Sequence, residues 1–205
     1  MTPLLLILLA GAPEAHAQLA GRGSAVWGDV GGGLAVSGAW DLPEQPGDVV
    51  RTWAGGTWTA GFGGVVGRYD DAFAIGRGVG FGVRARQDLL PTSGGLAIQT
   101  TVAVEAWRAI DLLVVSLRVG ALAGPLLQGG RPGVAPAVVG GTARVLGSAA
   151  YRFHRHWSVQ ARLEAGADLV QRGQGQGSSG LRAAPAVGVV VGLGFTVPVA
   201  RPDAR

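Results

Sequence analysis

The 205-residue sequence contains no cysteine, no lysine and no asparagine. Without cysteine there is no disulfide framework, no thiol nucleophile and no thiolate metal site. Charge is also scarce. Only 15% of residues are charged, against about 25% in soluble domains, and a soluble protein so poor in charge struggles to cover its surface. Long apolar runs are missing as well. The nearest approach after the N-terminus, LLVVSLRVGAL at 112–122, is interrupted by Arg118 and falls short of the ~18 residues of a membrane-spanning helix. All 17 basic side chains are arginine, and the net charge is +4. So small an excess on an exported chain gives no ground for a nucleic-acid partner. Arginines at a membrane surface would instead meet lipid phosphates.

The N-terminus supplies the evidence for export. MTPLLLILLAGAPEAHA (1–17) has a short apolar run and ends in the small-x-small sequence Ala15-His16-Ala17. It is read as a cleaved secretory signal. The remainder, 18–205, is long enough for one domain, and nothing in it suggests an internal boundary.

That remainder alternates. From Trp157, the apolar series Trp157, Val159, Ala161, Leu163, Ala165, Ala167 and Leu169 interleaves with Ser158, Gln160, Arg162, Glu164, Gly166 and Asp168. This is a strand with two unlike faces. Eight such segments are expected, at about 24–40, 52–66, 72–86, 95–107, 111–124, 137–151, 157–170 and 186–197. The connections alternate in length. GRYDD, RAI and RFHRH are short. DLPEQPGDVVR, QDLLPTSG, PLLQGGRPGVAP and QRGQGQGSSGLRAAP are longer and rich in Gly, Pro and Gln. Short turns at one end and four long loops at the other suit an up-and-down sheet whose two ends face different compartments.

The polar faces carry at most three charges each, and some carry none, diluted with Gly, Ala, Ser and Thr, whereas the apolar faces are nearly unbroken. A closed sheet with its apolar side toward lipid and its sparse polar side inward fits that imbalance. It is also the only sheet that leaves no unpaired edge in hydrocarbon. The expected fold is all-β, an eight-stranded antiparallel up-and-down transmembrane β-barrel with a short C-terminal tail. Inward glycines would make room for long residues on facing strands. The expected lumen network is Asp29, Arg84, Glu105, Arg118, Arg144, Arg162, Glu164 and Asp168, with Arg118, Arg144, Arg162 and Glu164 near mid-height. Charges buried there must pair. The expected interfacial aromatics are Trp40, Trp53, Tyr69, Phe73, Trp107, Tyr151, Phe153 and Trp157, which lie near strand ends. Arg77 falls on the lipid-facing side, where a mid-depth arginine would cost ~2–4 kcal/mol.

In strand number and pattern over about 24–197, the chain resembles the small eight-stranded outer-membrane barrels, the OmpA transmembrane domain and OmpX. That resemblance implies a monomer in the outer membrane. Its partners would be membrane lipid, lipopolysaccharide and the assembly machinery that reads a terminal aromatic. Here Phe195 occupies the last strand, but TVPVARPDAR continues past it. The implied role is structural or surface-binding through the loops, with a plugged lumen, no cofactor and no catalysis.

Other readings are weaker. A soluble lipocalin-like barrel would turn the apolar face inward to bind a lipid. His156-Trp157-Ser158 resembles the His-x-Ser of lipid A deacylases, yet that family's asparagines are absent. A gate or narrow pore is the functional alternative to a plug. His154 and His156 lack a third nearby ligand for metal. The G-x-G-x-x-A match at 80–85 lies within a strand instead of opening a helix, so it is no dinucleotide site.

Overall fold

In the computed structural model, the described residues are 21–40, 50–69, 75–92, 95–112, 114–129, 138–154, 156–171 and 181–200. The expected signal segment at 1–17, residues 201–205 and most of the longer connections lie outside them. The described residues form eight strands: β1 (Gly21–Trp40), β2 (Val50–Tyr69), β3 (Ile75–Thr92), β4 (Gly95–Leu112), β5 (Val115–Gly129), β6 (Val138–Arg152), β7 (Trp157–Gln171) and β8 (Leu181–Ala200). Each pairs antiparallel with its sequence neighbours, and β8 returns to β1, closing the barrel. Followed across the strands, Arg22 leads through Arg68, Arg77, Ile110, Leu117, Ala149, Ala161 and Val191 back to β1 at Gly32. That stagger tilts the strands, as closure requires.

Alternation sets the two faces. Val30, Leu34, Phe62, Val104, Val119, Val145, Leu163 and Val191 are exposed on the outside, while Asp29, Thr59, Arg84, Glu105, Arg144, Arg162 and Glu164 are buried inside. The ordinary globular order is thus inverted, as a hydrocarbon solvent demands. A lipocalin-type barrel needs the opposite arrangement, and that alternative fails here.

Several boundaries differ from the sequence expectation. RAI at 108–110 is no turn, since β4 runs on to Leu112, and three further differences have a local reason. QDLLPTSG is not a loop. β3 runs on to Thr92 and β4 starts at Gly95, because Arg86, Asp88 and Leu90 continue the buried alternation. The remaining connection is Ser93-Gly94. Gly95 has φ 126°, which favours glycine, and the Thr92 hydroxyl donates to its carbonyl at 2.7 Å. Three long connections, not four, therefore gather at this end. The fifth strand begins at Val115 instead of 111 and runs through Pro125 to Gly129. The β4–β5 ladder skips Pro125, which has no N–H, and resumes at Leu126. The eighth strand starts at Leu181 instead of 186 and passes Pro185, beyond the last β1 pair at Val36–Val187. Arg77 is the third residue of β3, opposite Ile110. It therefore stands near the short-turn end and not at mid-depth.

The lumen is filled from both sides. Near the short turns, Trp27, Val65, Trp107, Leu122 and Leu146 form an apolar layer. Trp27 and Trp107 meet edge-to-face at 5.8 Å between ring centroids, and the Trp27 indole donates to the Gly64 carbonyl at 3.2 Å. Glycine supplies the space. A Cβ on Gly80 would lie 2.2 Å from the Trp107 ring, and one on Gly61 2.7 Å from the Arg84 guanidinium. By contrast, a Cβ on Gly56 would have nothing within 4 Å. Gly80→Ala should therefore cost about 1–3 kcal/mol through overpacking, whereas Gly56→Ala should leave stability unchanged or raise it. Urea unfolding in lipid, followed by tryptophan fluorescence, checks the contrast.

Candidate functional site

Chemistry-bearing side chains collect at mid-height in the lumen, as alternation along five strands dictates. Arg84 on β3 is the first centre. Its guanidinium grips Asp29 of β1 with two bonds, at 2.6 and 2.7 Å, and Glu105 of β4 with two more, at 2.7 and 3.1 Å; it also donates to the Thr59 hydroxyl at 3.0 Å. Paired donors matching paired oxygens are the strong form of this contact. Arg84 also lies 5.9 Å from the centroid of Trp27, linking the charges to the apolar layer.

Glu105 passes the chain of contacts on. It accepts from Arg162 of β7 at 2.9 Å, and Arg162 in turn donates to Glu164 at 2.6 Å. Glu164 is the second centre. It accepts from Arg86 of β3 and lies 3.6 Å from Arg144 of β6. Arg86 holds Asp88 at 2.7 Å, and Arg144 holds Asp168 at 2.9 and 3.1 Å. Asp168 also accepts from Thr142 at 2.7 Å and bonds Ser37, whose hydroxyl lies 2.9 Å from Gln99. The Gln99 amide reaches the Gly38 carbonyl at 2.5 Å. This sequence of contacts starts on β1 at Asp29 and returns to β1 at Ser37, crossing the whole lumen.

Burial makes these contacts obligatory. Side-chain exposure is 0–6% across the ion pairs. The buried set holds four arginines and five carboxylates among the described residues. An unpaired charge here would bear the full desolvation cost, so near balance is what the site requires.

Seven of the eight sequence-expected charges enter this network. Arg118 does not lie at mid-height. Because β5 starts at Val115, Arg118 falls near the short turns, half-buried, with its guanidinium 4.6 Å above Trp107. Two members were missed, Arg86 and Asp88. Their parity with Arg84 was visible in the sequence, but ending the strand at 86 left Arg86 at its edge and Asp88 outside it.

The aromatics divide. Tyr151, Phe153 and Trp157 are exposed near the short turns, and Trp157 meets Phe195 at 6.0 Å. Trp107 and Trp53 contradict the interfacial expectation. Trp107 shares the parity of Glu105 and is buried in the lumen, where Gly80 and Gly120 leave it room. Trp53 packs inward on Ala39, Leu90 and Ala97. Trp40 and Tyr69 end β1 and β2, and Phe73 lies outside the described residues.

Both side chains of the His-x-Ser sequence meet backbone carbonyls of β8. Ser158 donates to the Gly194 carbonyl at 3.4 Å, and a His156 ring nitrogen lies 3.2 Å from the Thr196 carbonyl. No metal-holding group of His, Asp and Glu occurs among the described residues.

No protein-family model matches the chain, and no curated protein matches it. Solved structures do. Neisserial surface protein A aligns with TM-score 0.56 at 12% identity, over 85% of this chain and 98% of its own. AlkL, an outer membrane protein, aligns at 0.47 with 12% identity over 95% and 98%. Ail of Yersinia pestis aligns at 0.43 with 13% identity over 85% and 98%. The first likeness establishes the fold, a closed eight-stranded antiparallel barrel of the small outer-membrane type.

Removal of Glu164 should be the most damaging single truncation in the lumen. Glu164→Ala leaves Arg86, Arg144 and Arg162 without their shared carboxylate and should cost about 3–5 kcal/mol. The urea midpoint in lipid is the readout, and a midpoint equal to that of the parent protein would contradict the network's role.

Proposed function

We propose that this chain is an integral outer-membrane barrel, exported through the signal at 1–17, with a lumen closed by its own charge network. In this reading the short turns face the periplasm and the long connections face outward. The role is structural or surface-binding, carried by those connections, without catalysis. The supporting observation is the buried sequence of ion pairs from Asp29 to Asp168, backed by the Trp27–Trp107 layer. A lumen packed with paired side chains leaves a narrow barrel no room for a wide aqueous path.

The outward apolar face supports lipid as the immediate partner, and Tyr151, Phe153 and Trp157 would lie at the interface. Lipopolysaccharide and the barrel-assembly machinery belong to the same reading, as does a monomeric state. The eight strands and short turns favour grouping with the OmpA transmembrane domain and OmpX.

Two measurements test the proposal. Purified protein in planar bilayers should give no large, stable channels, and regular openings would overturn the closed lumen. In fractionated cells the chain should stay with the membrane through carbonate and high salt and come free only in detergent. Release by carbonate alone would contradict membrane integration.

A further inference from the structure

Through the middle of the barrel the outward positions of the described strands are apolar or glycine, with two polar exceptions that stand side by side. Gln87 on β3 pairs in register with Thr100 on β4, and on its other side with Trp58 on β2. All three follow the lipid-facing alternation. Trp58 and Thr100 are exposed and Gln87 is half-buried, while their chain neighbours Thr57, Asp88 and Gln99 are buried in the lumen. The Trp58 indole donates to the Gln87 side-chain carbonyl at 2.7 Å. The adjoining rows are apolar again. Ala60, Ala85 and Val102 stand on the short-turn side, and Leu89 and Ile98 on the side of Ser93-Gly94.

Gln87 stands five residues before the end of β3 at Thr92, and Thr100 five after the start of β4 at Gly95. At ~3.3 Å per residue and a tilt of ~40°, these strands of 18 residues rise about 43 Å. An apolar band ~25 Å tall and centred on them stops about 9 Å short of either end. The polar groups lie about 13 Å from theirs, which is just inside the hydrocarbon edge. At that level the acceptors of a bilayer are the carbonyls that join acyl chains to the lipid. Phosphate lies farther out, and hydrocarbon offers nothing. The site presents donors. With its carbonyl engaged by Trp58, Gln87 has two amide N–H groups to give, and Thr100 has one O–H. Side chains directly opposite on paired strands have Cβ atoms ~5 Å apart, close enough to serve one linkage carbonyl together or the two of a diacyl lipid. The surface beside the indole is bare. Gly32 faces Trp58 across the β1–β2 ladder and Gly56 lies two residues away, both exposed, and a Cβ on Gly56 would have nothing within 4 Å. A chain descending from the site crosses Ala60 and Ala85, the smallest side chains of the next row.

We propose that Trp58, Gln87 and Thr100 form a binding site for one diacyl lipid, in the leaflet on the side of the long connections, recognised through the carbonyl linkages of its acyl chains. Trp58 positions the Gln87 amide, and Gln87 and Thr100 donate to the linkage. This rests on the membrane reading given above.

The test uses the full chain in bilayers of equal diester and diether phosphatidylcholine, matched in chain length. The two share a headgroup, and the diether lacks both carbonyls. Native mass spectrometry identifies the lipid that stays bound as the others are stripped away. Wild type should hold the diester about fivefold over the diether, the worth of roughly one net hydrogen bond. The double variant Gln87→Leu, Thr100→Val should fall to near parity. Thr52→Val, which removes an outward hydroxyl elsewhere on β2, should keep the preference. Should the double variant not fold, Thr100→Val alone should lower the ratio, and an unchanged ratio there overturns the proposal. Equal retention of the two lipids by wild type also overturns it. So does a preference that survives the double variant or disappears equally in Thr52→Val. Heat-dependent gel migration after insertion into each pure lipid separates the two readings. Failure of wild type to insert into either contradicts the membrane reading itself, while insertion without lipid preference contradicts only the lipid site.

Discussion

Hydrocarbon offers no hydrogen bonds, and that single constraint reaches every level of this chain. A sheet in lipid cannot leave an edge open, so β8 must pair with β1, and it does so from Val36–Val187 down to Ser24–Ala200. Closure in turn creates an interior. Everything polar that alternation keeps off the outer face has to be satisfied inside it.

The charge network follows from that requirement. Arginine suits it because a planar guanidinium can hold two carboxylates at once, as Arg84 holds Asp29 and Glu105. A partly satisfied network would be worse than an apolar core. This explains why nearly every charge in the lumen contacts more than one partner, and why glycines stand where the long side chains pass.

Much of this was legible in the sequence, because a period of two survives any uncertainty about where a strand ends. The sidedness of Val159, Ala161 and Leu163 against Gln160, Arg162 and Glu164 was plain, and so was the inward place of Asp29, Glu105 and Asp168. What failed was anything that depended on height. Pro91 and Gly94 suggested a loop around 87–94, and so Asp88 was lost from the network, while Arg86 stood at the very end of the expected strand. Starting β5 four residues early placed Arg118 at mid-height, whereas it falls near the short turns. Trp107 and Trp53 were assigned to the interface because they lie near strand ends, although parity already placed both with the lumen residues. Alternation reports the face of a residue. Depth is decided by the stagger between strands and by turn chemistry such as that at Gly95, which local pattern does not encode.

The central claim is that the apolar face meets lipid and the charged face meets itself. The absence of cysteine allows a direct test by single-cysteine spin labelling along β4, from Thr100 to Trp107, in a bilayer. At Val102, Val104 and Ala106 the label should collide with dissolved oxygen and be sheltered from a water-soluble nickel relaxant. At Thr101, Ala103 and Glu105 it should be sheltered from both, wherever the barrel still folds. Accessibility to the nickel reagent at Val102, Val104 and Ala106 would place water where this account places lipid, and would contradict it.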